Sequence, residues 1–294
     1  MTYNGYDIYS MGDSVTIEGI RDFVPEHTFE CGQCFRWRRE SDGSYSGIVQ
    51  GRIVNVQYNT GRLVLRNASI EDFKQLWFVY FDLGRDYGEV KNAVAIDGIM
   101  QKAIEFGSGI RLLKQEPWEA LISFILSSNN NIPRIMKIIE DISRLYGREM
   151  EYDGRKYYGF PNAQGLAACS LKQLKVCGAG YRCEYLHRTA VKIALGEFDI
   201  QMLAGLETAE ARNYLMRLHG VGNKVADCML LYSGTKYDVF PTDVWVKRVM
   251  EKLYFKREVS FREIRMFAAE TFGEYAGIAQ QYLFYYAREH KIGV

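Results

Sequence analysis

The sequence predicts an α+β fold, with an N-terminal antiparallel β-sheet accompanied by helices and then an all-α region built around a helix-hairpin-helix. Three observations carry this. Apolar and polar residues alternate with period two in the first third of the chain. Helical capping signals dominate from Glu116 onward. Leu218-His219-Gly220-Val221-Gly222-Asn223-Lys224 then sets two glycines one residue apart between two apolar helical segments.

Taken in order, residues 15–20, 28–38, 44–50, 53–58 and 62–66 are expected as strands, with Asn59-Thr60-Gly61 as a turn. Ser69 caps a helix that reaches Phe81, and 87–106 is expected as one further helix. Gly107-Ser108-Gly109 is the expected boundary. It leaves a sheet domain over 1–107 and a helical region over 108–294, with the hairpin motif at about 211–232. Pro117 suits a first helical position. Ser170 with Gln173, and Ser260 with Glu263, have capping-box spacing, and Gly147, Gly196 and Gly273 are natural helix stops.

With 48% hydrophobic and 25% charged residues, the chain has the balance of a globular protein, and no apolar run approaches a membrane span. Met1 is followed by neither a basic start nor an apolar core, so an intracellular, bacterial-type cytoplasmic setting is expected, or a nuclear one in a eukaryote. Net charge is only +1, but residues 1–107 carry 11 Lys/Arg against 15 Asp/Glu, and the remainder 26 against 21. The basic excess therefore lies in the half with the hairpin, as phosphate binding requires. Cys31-Gly32-Gln33-Cys34 has C-x-x-C spacing, but there is no second such pair and no histidine at ligand distance. No cysteine follows Cys228, so the C-terminal part cannot supply four thiolates to an iron–sulfur cluster.

A glycine hairpin exposes backbone N–H groups at a helix start, where an anion binds. Lys224 stands on the first turn of that helix and shares a face with Cys228 among apolar neighbours. Desolvation favours a neutral amine, the form that attacks carbon and can make a Schiff base. The plainer reading is a surface lysine paired with a phosphate or with Asp227. Asp243, after Pro241-Thr242, opens another helix. There it can serve as an N-cap, as an ionised carboxylate beside a developing oxocarbenium ion, or as both. Ser127-Ser128-Asn129-Asn130-Asn131 is either simple turn chemistry or a set of amides filling a gap in a base stack, with Arg134 in reach of the same place. Tyr181-Arg182, after Gly178-Ala179-Gly180, pairs an aromatic ring with a guanidinium, which suits base stacking.

In the order they occur, Gly32-Gln33-Cys34-Phe35-Arg36-Trp37, Ser127 to Ile132, Gly180-Tyr181-Arg182, Gly220 to Cys228, and Ala279-Gln280 with Phe284 resemble the signatures of 8-oxoguanine DNA glycosylase/AP lyases, in the helix-hairpin-helix-GPD superfamily. The resemblance covers almost the whole chain. It implies a TBP-like N-terminal domain and an all-α glycosylase domain. The implied substrate is double-stranded DNA with 8-oxoguanine opposite cytosine, and the lesion is flipped out of the duplex. Lys224 and Asp243 would be catalytic, with Lys224 expelling the base and nicking the strand by β-elimination. Phe284 and Cys228 would sandwich the base, and Gln280 would read its Watson–Crick edge. Gly32 would offer its carbonyl to the N7 hydrogen that 8-oxoguanine has and guanine lacks, and glycine allows that close approach. A strand bulge is the plainer reading of Gly32.

Asn129, Arg134 and Arg182 would meet the orphaned cytosine, with Tyr181 as the wedge. Gly220 and Gly222 would hold a phosphate. Trp245 replaces a histidine frequent in the family, and its indole N–H could still donate to a phosphate. Ala287 stands where an acidic residue can support Gln280. No cofactor is required. A structural Na, K or Ca ion could sit on hairpin carbonyls near His219 and Val221. A monomer that engages no membrane is expected. Two other readings stay open at this stage: a monofunctional alkylated-base glycosylase, against which Lys224 argues, and a non-catalytic DNA-binding module.

Overall fold

Residues 1–293 are described by a computed structural model. Its N-terminal strands are β1 (Thr2–Tyr3), β2 (Tyr6–Met11), β3 (Ser14–Glu18), β4 (Trp37–Arg39), β5 (Tyr45–Val49), β6 (Arg52–Asn59) and β7 (Arg62–Arg66). They form one antiparallel sheet in the order β1-β2-β3-β7-β6-β5-β4. Val15 and Val56 both face Leu65, and all three are fully buried. The alternation therefore places one apolar face against a helix that starts at Ile70 and ends at Tyr80, where Phe73 and Trp77 fill the gap. Ser69 begins that helix with a reciprocal capping box to Asp72.

Four expectations need correction. Residues 28–38 are not a strand. Pro25–Glu30 is a helix opened by its proline, an irregular loop follows, and only Trp37–Arg39 joins the sheet. The alternation arises because the loop runs between two cores. Cys31 and Phe35 pack into the helical core, while Phe29, Cys34 and Trp37 pack into the sheet core. The helix over 87–106 is two, Tyr87–Val94 and Gly98–Phe106, because Asp97 caps the second by accepting from the Ile99 and Met100 amides. The helical region contains a hairpin, β8 (Glu149–Tyr152) with β9 (Arg155–Tyr158). Asp153-Gly154, both at positive φ, is its turn and was the readable signal. The same signal, Asn4-Gly5, joins β1 to β2, which the sequence reading left out.

The helical body is organised around Pro117–Leu126, which is buried on nearly every side. Asn223–Tyr232, Arg182–Ala194 and Ile132–Tyr146 pack on it. The C-terminal helix Ala276–Glu289 lies against Gly98–Phe106 and carries Gln280 and Phe284 inward. Gly147 and Gly273 end their helices, and the capping boxes at Ser170 and Ser260 are both formed. Among the described residues no helix is long and apolar enough to cross a membrane.

Candidate active site

The hairpin joins Thr208–Leu215 to Asn223–Tyr232. Gly220 has φ +79°, and a Cβ there would stand 2.5 Å from the Tyr185 ring, so both backbone and space demand glycine. His219 packs edge-on to the same ring. Gly222, in extended conformation, caps the second helix without a side chain, so the first-turn N–H groups have no side-chain acceptor.

Lys224 leaves that first turn and points into a pocket of about 390 Å³. Its Nζ donates to Ser127 Oγ at 2.8 Å, and Ser127 in turn donates to the Phe124 carbonyl at 2.7 Å. Asp227, the alternative partner of Lys224, is instead bound to Arg212, Nε to Oδ1 at 2.5 Å. Asp243 lines the same pocket and is an N-cap, its Oδ1 accepting from the Val246 amide at 2.8 Å. Its Oδ2 has no donor among the described residues, so capping leaves one oxygen facing the reacting space.

Gly32, Cys228, Trp245, Gln280 and Phe284 line this pocket as well. Burial pushes the Cys228 thiol up to about 11, against the pull of Lys224, so the sulfur is a neutral wall and not a rival nucleophile. Trp245 stands edge-on to Phe284 with centroids 5.3 Å apart, which makes the indole part of the pocket wall. Gln280 is 3% exposed, and its buried Oε1 has no hydrogen-bond partner among the described residues. Gly32 has φ +92°, and an added Cβ would come within 3.1 Å of Phe284 and of Arg288. Its carbonyl accepts no hydrogen bond among the described residues.

Asn129, Arg134, Tyr181 and Arg182 do not line the pocket but gather where the 128–134 turn meets the 178–182 loop, next to the pocket residues Asn130 and Asn131. Asn129 is exposed at φ +48°, Arg134 Nη2 touches the Gly178 carbonyl at 3.3 Å, and Tyr181 is 55% exposed. Arg182 is 3% exposed, and its guanidinium donates to the carbonyls of Ser128 (2.8 Å) and Asn129 (2.7 Å), which holds the asparagine turn.

Sequence reasoning passed over Arg288, Tyr232 and Gln281, and placed Ser127 in a motif without seeing its bond to Lys224. A pair of glutamines in an otherwise apolar helix, Gln280-Gln281, was the available signal. Gln33 stood in a motif without a role. It is fully buried, and its side chain reaches the Thr28 and Arg111 carbonyls and the Leu113 amide, each at 2.8 Å.

Comparison with known proteins agrees over nearly the whole length. The profile of the 8-oxoguanine DNA glycosylase N-terminal domain matches residues 17–121, and that of the HhH-GPD superfamily of base excision DNA repair proteins matches residues 122–272. A "Probable N-glycosylase/DNA lyase" of Methanothermobacter thermautotrophicus is 33% identical, over 92% of this chain and 95% of that protein. An Arabidopsis thaliana N-glycosylase/DNA lyase is 29% identical, over 87% of this chain and 75% of its own. Among solved structures, the 8-oxoguanine glycosylase/lyase of Clostridium acetobutylicum, in complex with double-stranded DNA containing cytosine opposite 8-oxoG, superposes with a TM-score of 0.95. Identity there is 44%, over 98% of this chain and 99% of that one.

Proposed function

Since this chain belongs to the HhH-GPD superfamily of base excision DNA repair proteins and carries the 8-oxoguanine DNA glycosylase N-terminal domain, we propose that its pocket receives an 8-oxoguanine flipped from opposite cytosine. The enzyme is a bifunctional DNA glycosylase/AP lyase. The observation that supports this best is that Lys224, Asp243 and the unpartnered Gly32 carbonyl line one pocket of base-binding size.

In the proposed chemistry the Lys224 amine forms a bond to sugar C1′ as the glycosidic bond to the base breaks. The base leaves with the electron pair and takes up a proton. The amine gives up one proton; its lone pair then forms the C1′=N bond of a protonated imine as the C1′–O4′ bond breaks, and O4′ leaves with that electron pair and takes up a proton, which opens the sugar ring. Removal of a C2′ proton then expels the 3′ phosphate, and the strand is nicked. Asp243 Oδ2 offers negative charge to the cationic sugar. Cys228 and Phe284 hold the two faces of the base. Gln280 reads its edge with a carbonyl oxygen that has no other partner. Gly32 accepts from the N7 hydrogen of the lesion, whereas guanine N7 would meet the carbonyl lone pair against lone pair.

Asn129, Arg134 and the Tyr181 wedge face the vacated cytosine, with Arg182 bracing their turn. Gly220, Gly222 and the following N–H groups hold a phosphate, and Trp245 walls the pocket. The carbonyls of His219 and Val221 accept no hydrogen bond among the described residues, so they fit a Na, K or Ca ion that would bridge hairpin to phosphate. The chemistry itself needs no cofactor. A monomer suffices for one lesion, and the enzyme works where the chromosome is, in a bacterial-type cytoplasm or a nucleus.

Borohydride trapping tests the reading. An 8-oxoguanine:cytosine duplex is expected to give a covalent adduct that Lys224→Gln abolishes. Base release without an adduct would mark a monofunctional enzyme, and binding alone a non-catalytic module.

A further inference from the structure

Cys31, Gly32 and Gln33 have successive carbonyls, Gly32 lines the pocket, and among the described residues only its carbonyl, the middle one, accepts no hydrogen bond. The Cys31 carbonyl accepts Gln281 Nε2 at 3.0 Å, and the Gln33 carbonyl accepts Gln115 Nε2 at 2.7 Å. Both glutamines are tied to one residue. Tyr232 donates its hydroxyl to Gln281 Oε1 at 2.7 Å, and its carbonyl accepts the Gln115 amide at 2.9 Å. Tyr232 lies eight residues after Lys224 and four after Cys228, on the same helix. Gln281 is fully buried with both ends of its amide satisfied, and burial holds the Tyr232 hydroxyl in its protonated, donating form.

We infer that Gln281 and Gln115, anchored on Tyr232, form a clamp that aims the Gly32 carbonyl at the lesion, making Gln281 a specificity-positioning residue for base excision. The inference rests on the reading of Gly32 as the lesion-sensing group. A glycine at φ +92° has no side chain to hold it, so its peptide would swing unless its neighbours were fixed. The clamp fixes both neighbours from the helix that bears the nucleophile. Sensor and nucleophile therefore share one frame. An abasic site has no base to sense, so its cleavage by Lys224 does not depend on the clamp.

The test compares single-turnover excision of 8-oxoguanine opposite cytosine with cleavage of a preformed abasic site. Three variants are used, Gln281→Met, Tyr232→Phe and Gly32→Ala. Gln281→Met keeps the volume and removes both hydrogen bonds. Excision is expected to fall about ten- to a hundredfold, the effect of leaving a buried carbonyl unpaired, with abasic cleavage within about threefold of the parent. Tyr232→Phe, which deletes one oxygen, is expected to change the same ratio in the same direction by less. Unchanged excision in Gln281→Met overturns the clamp, as does an equal loss of both activities, which marks a structural residue only. If Gly32→Ala also excises normally, the sensor reading has failed. If Gly32→Ala is impaired and Gln281→Met is not, only the clamp has failed.

Discussion

Replacing Gly32 with alanine adds one methyl group at the most constrained point of the site. The new Cβ would lie 3.1 Å from Phe284 Cε1, 3.1 Å from Arg288 Nη1 and 3.3 Å from Ile132 Cδ1. Carbon pairs prefer about 3.5–4.0 Å, so three neighbours must yield by several tenths of an ångström. A non-glycine residue in this backbone region costs roughly 1–3 kcal/mol, and overpacking a filled site costs about the same again. The chain relieves that strain most cheaply by moving the loop, and the Gly32 carbonyl moves with it. A displacement of about 1 Å at a reacting or reading group costs on the order of a hundredfold in rate. Single-turnover excision of 8-oxoguanine is therefore expected to fall at least about a hundredfold, with abasic-site cleavage reduced only a few-fold and the melting temperature lowered by a few degrees. Excision at the parental rate would refute the claim that glycine is required for lesion reading.

Arg134→Ala is expected to relax the preference for cytosine over adenine opposite the lesion with little change in melting temperature. Arg182→Met should lower both melting temperature and activity, because it frees the Ser128 and Asn129 carbonyls; equal opposite-base ratios in parent and Arg134→Ala would count against the first claim. Gly220→Ala forces a Cβ to within 2.5 Å of Tyr185 and should weaken binding to undamaged duplex in a gel-shift series, with a shallower salt dependence as a phosphate contact is lost. His27 accepts from the Gly109 amide through Nδ1 at 3.2 Å. Burial lowers its pKa from the ordinary 6.5, with Glu26 opposing and Lys91 adding to the effect. The folded state thus prefers neutral histidine, and its contribution is full above the unfolded value and lost as pH falls through the depressed folded one. Thermal melts between about pH 7.5 and 5 should show that slope in the parent and a flatter one in His27→Gln, and parallel curves would exclude it. Arg212→Met removes the ion-pair partner of the buried Asp227 carboxylate and is expected to cost about 3–5 kcal/mol in urea denaturation.

What the sequence made legible and what it hid have separable physical causes. Val15 to Ile17 and Leu63 to Leu65 alternate because one face of the sheet is buried there, and the helix caps at Ser69, Ser170 and Ser260 are local hydrogen bonds between near neighbours. Such features need no knowledge of the distant chain. Lys224, Cys228, Asp243, Gln280 and Phe284 were readable as chemistry and do meet in one pocket. The Gln281 clamp was not readable, since its bond to the Cys31 carbonyl spans 250 positions. The two carbonyls that Arg182 meets were hidden for a similar reason, since Ser128 and Asn129 lie 54 and 53 positions away.

The misread segment 28–38 carries the most information about how the site is built. Period-two alternation normally means one wet face and one dry face, but here both faces are dry because two hydrophobic cores flank the segment. Before Trp37 this segment pairs with no strand, so its backbone polar groups must be satisfied individually. Thr28, Gln33 and the extended stretch Gly109–Leu113 do this work through side-chain bonds to main-chain atoms. The Gly32 carbonyl accepts no hydrogen bond among the described residues, and it lies where the sheet-bearing part of the chain meets the helical body. On the proposed reading, a lesion sensor at that seam would let a sheet with no part in bond breaking set the selectivity of a nucleophile that belongs to the helical body.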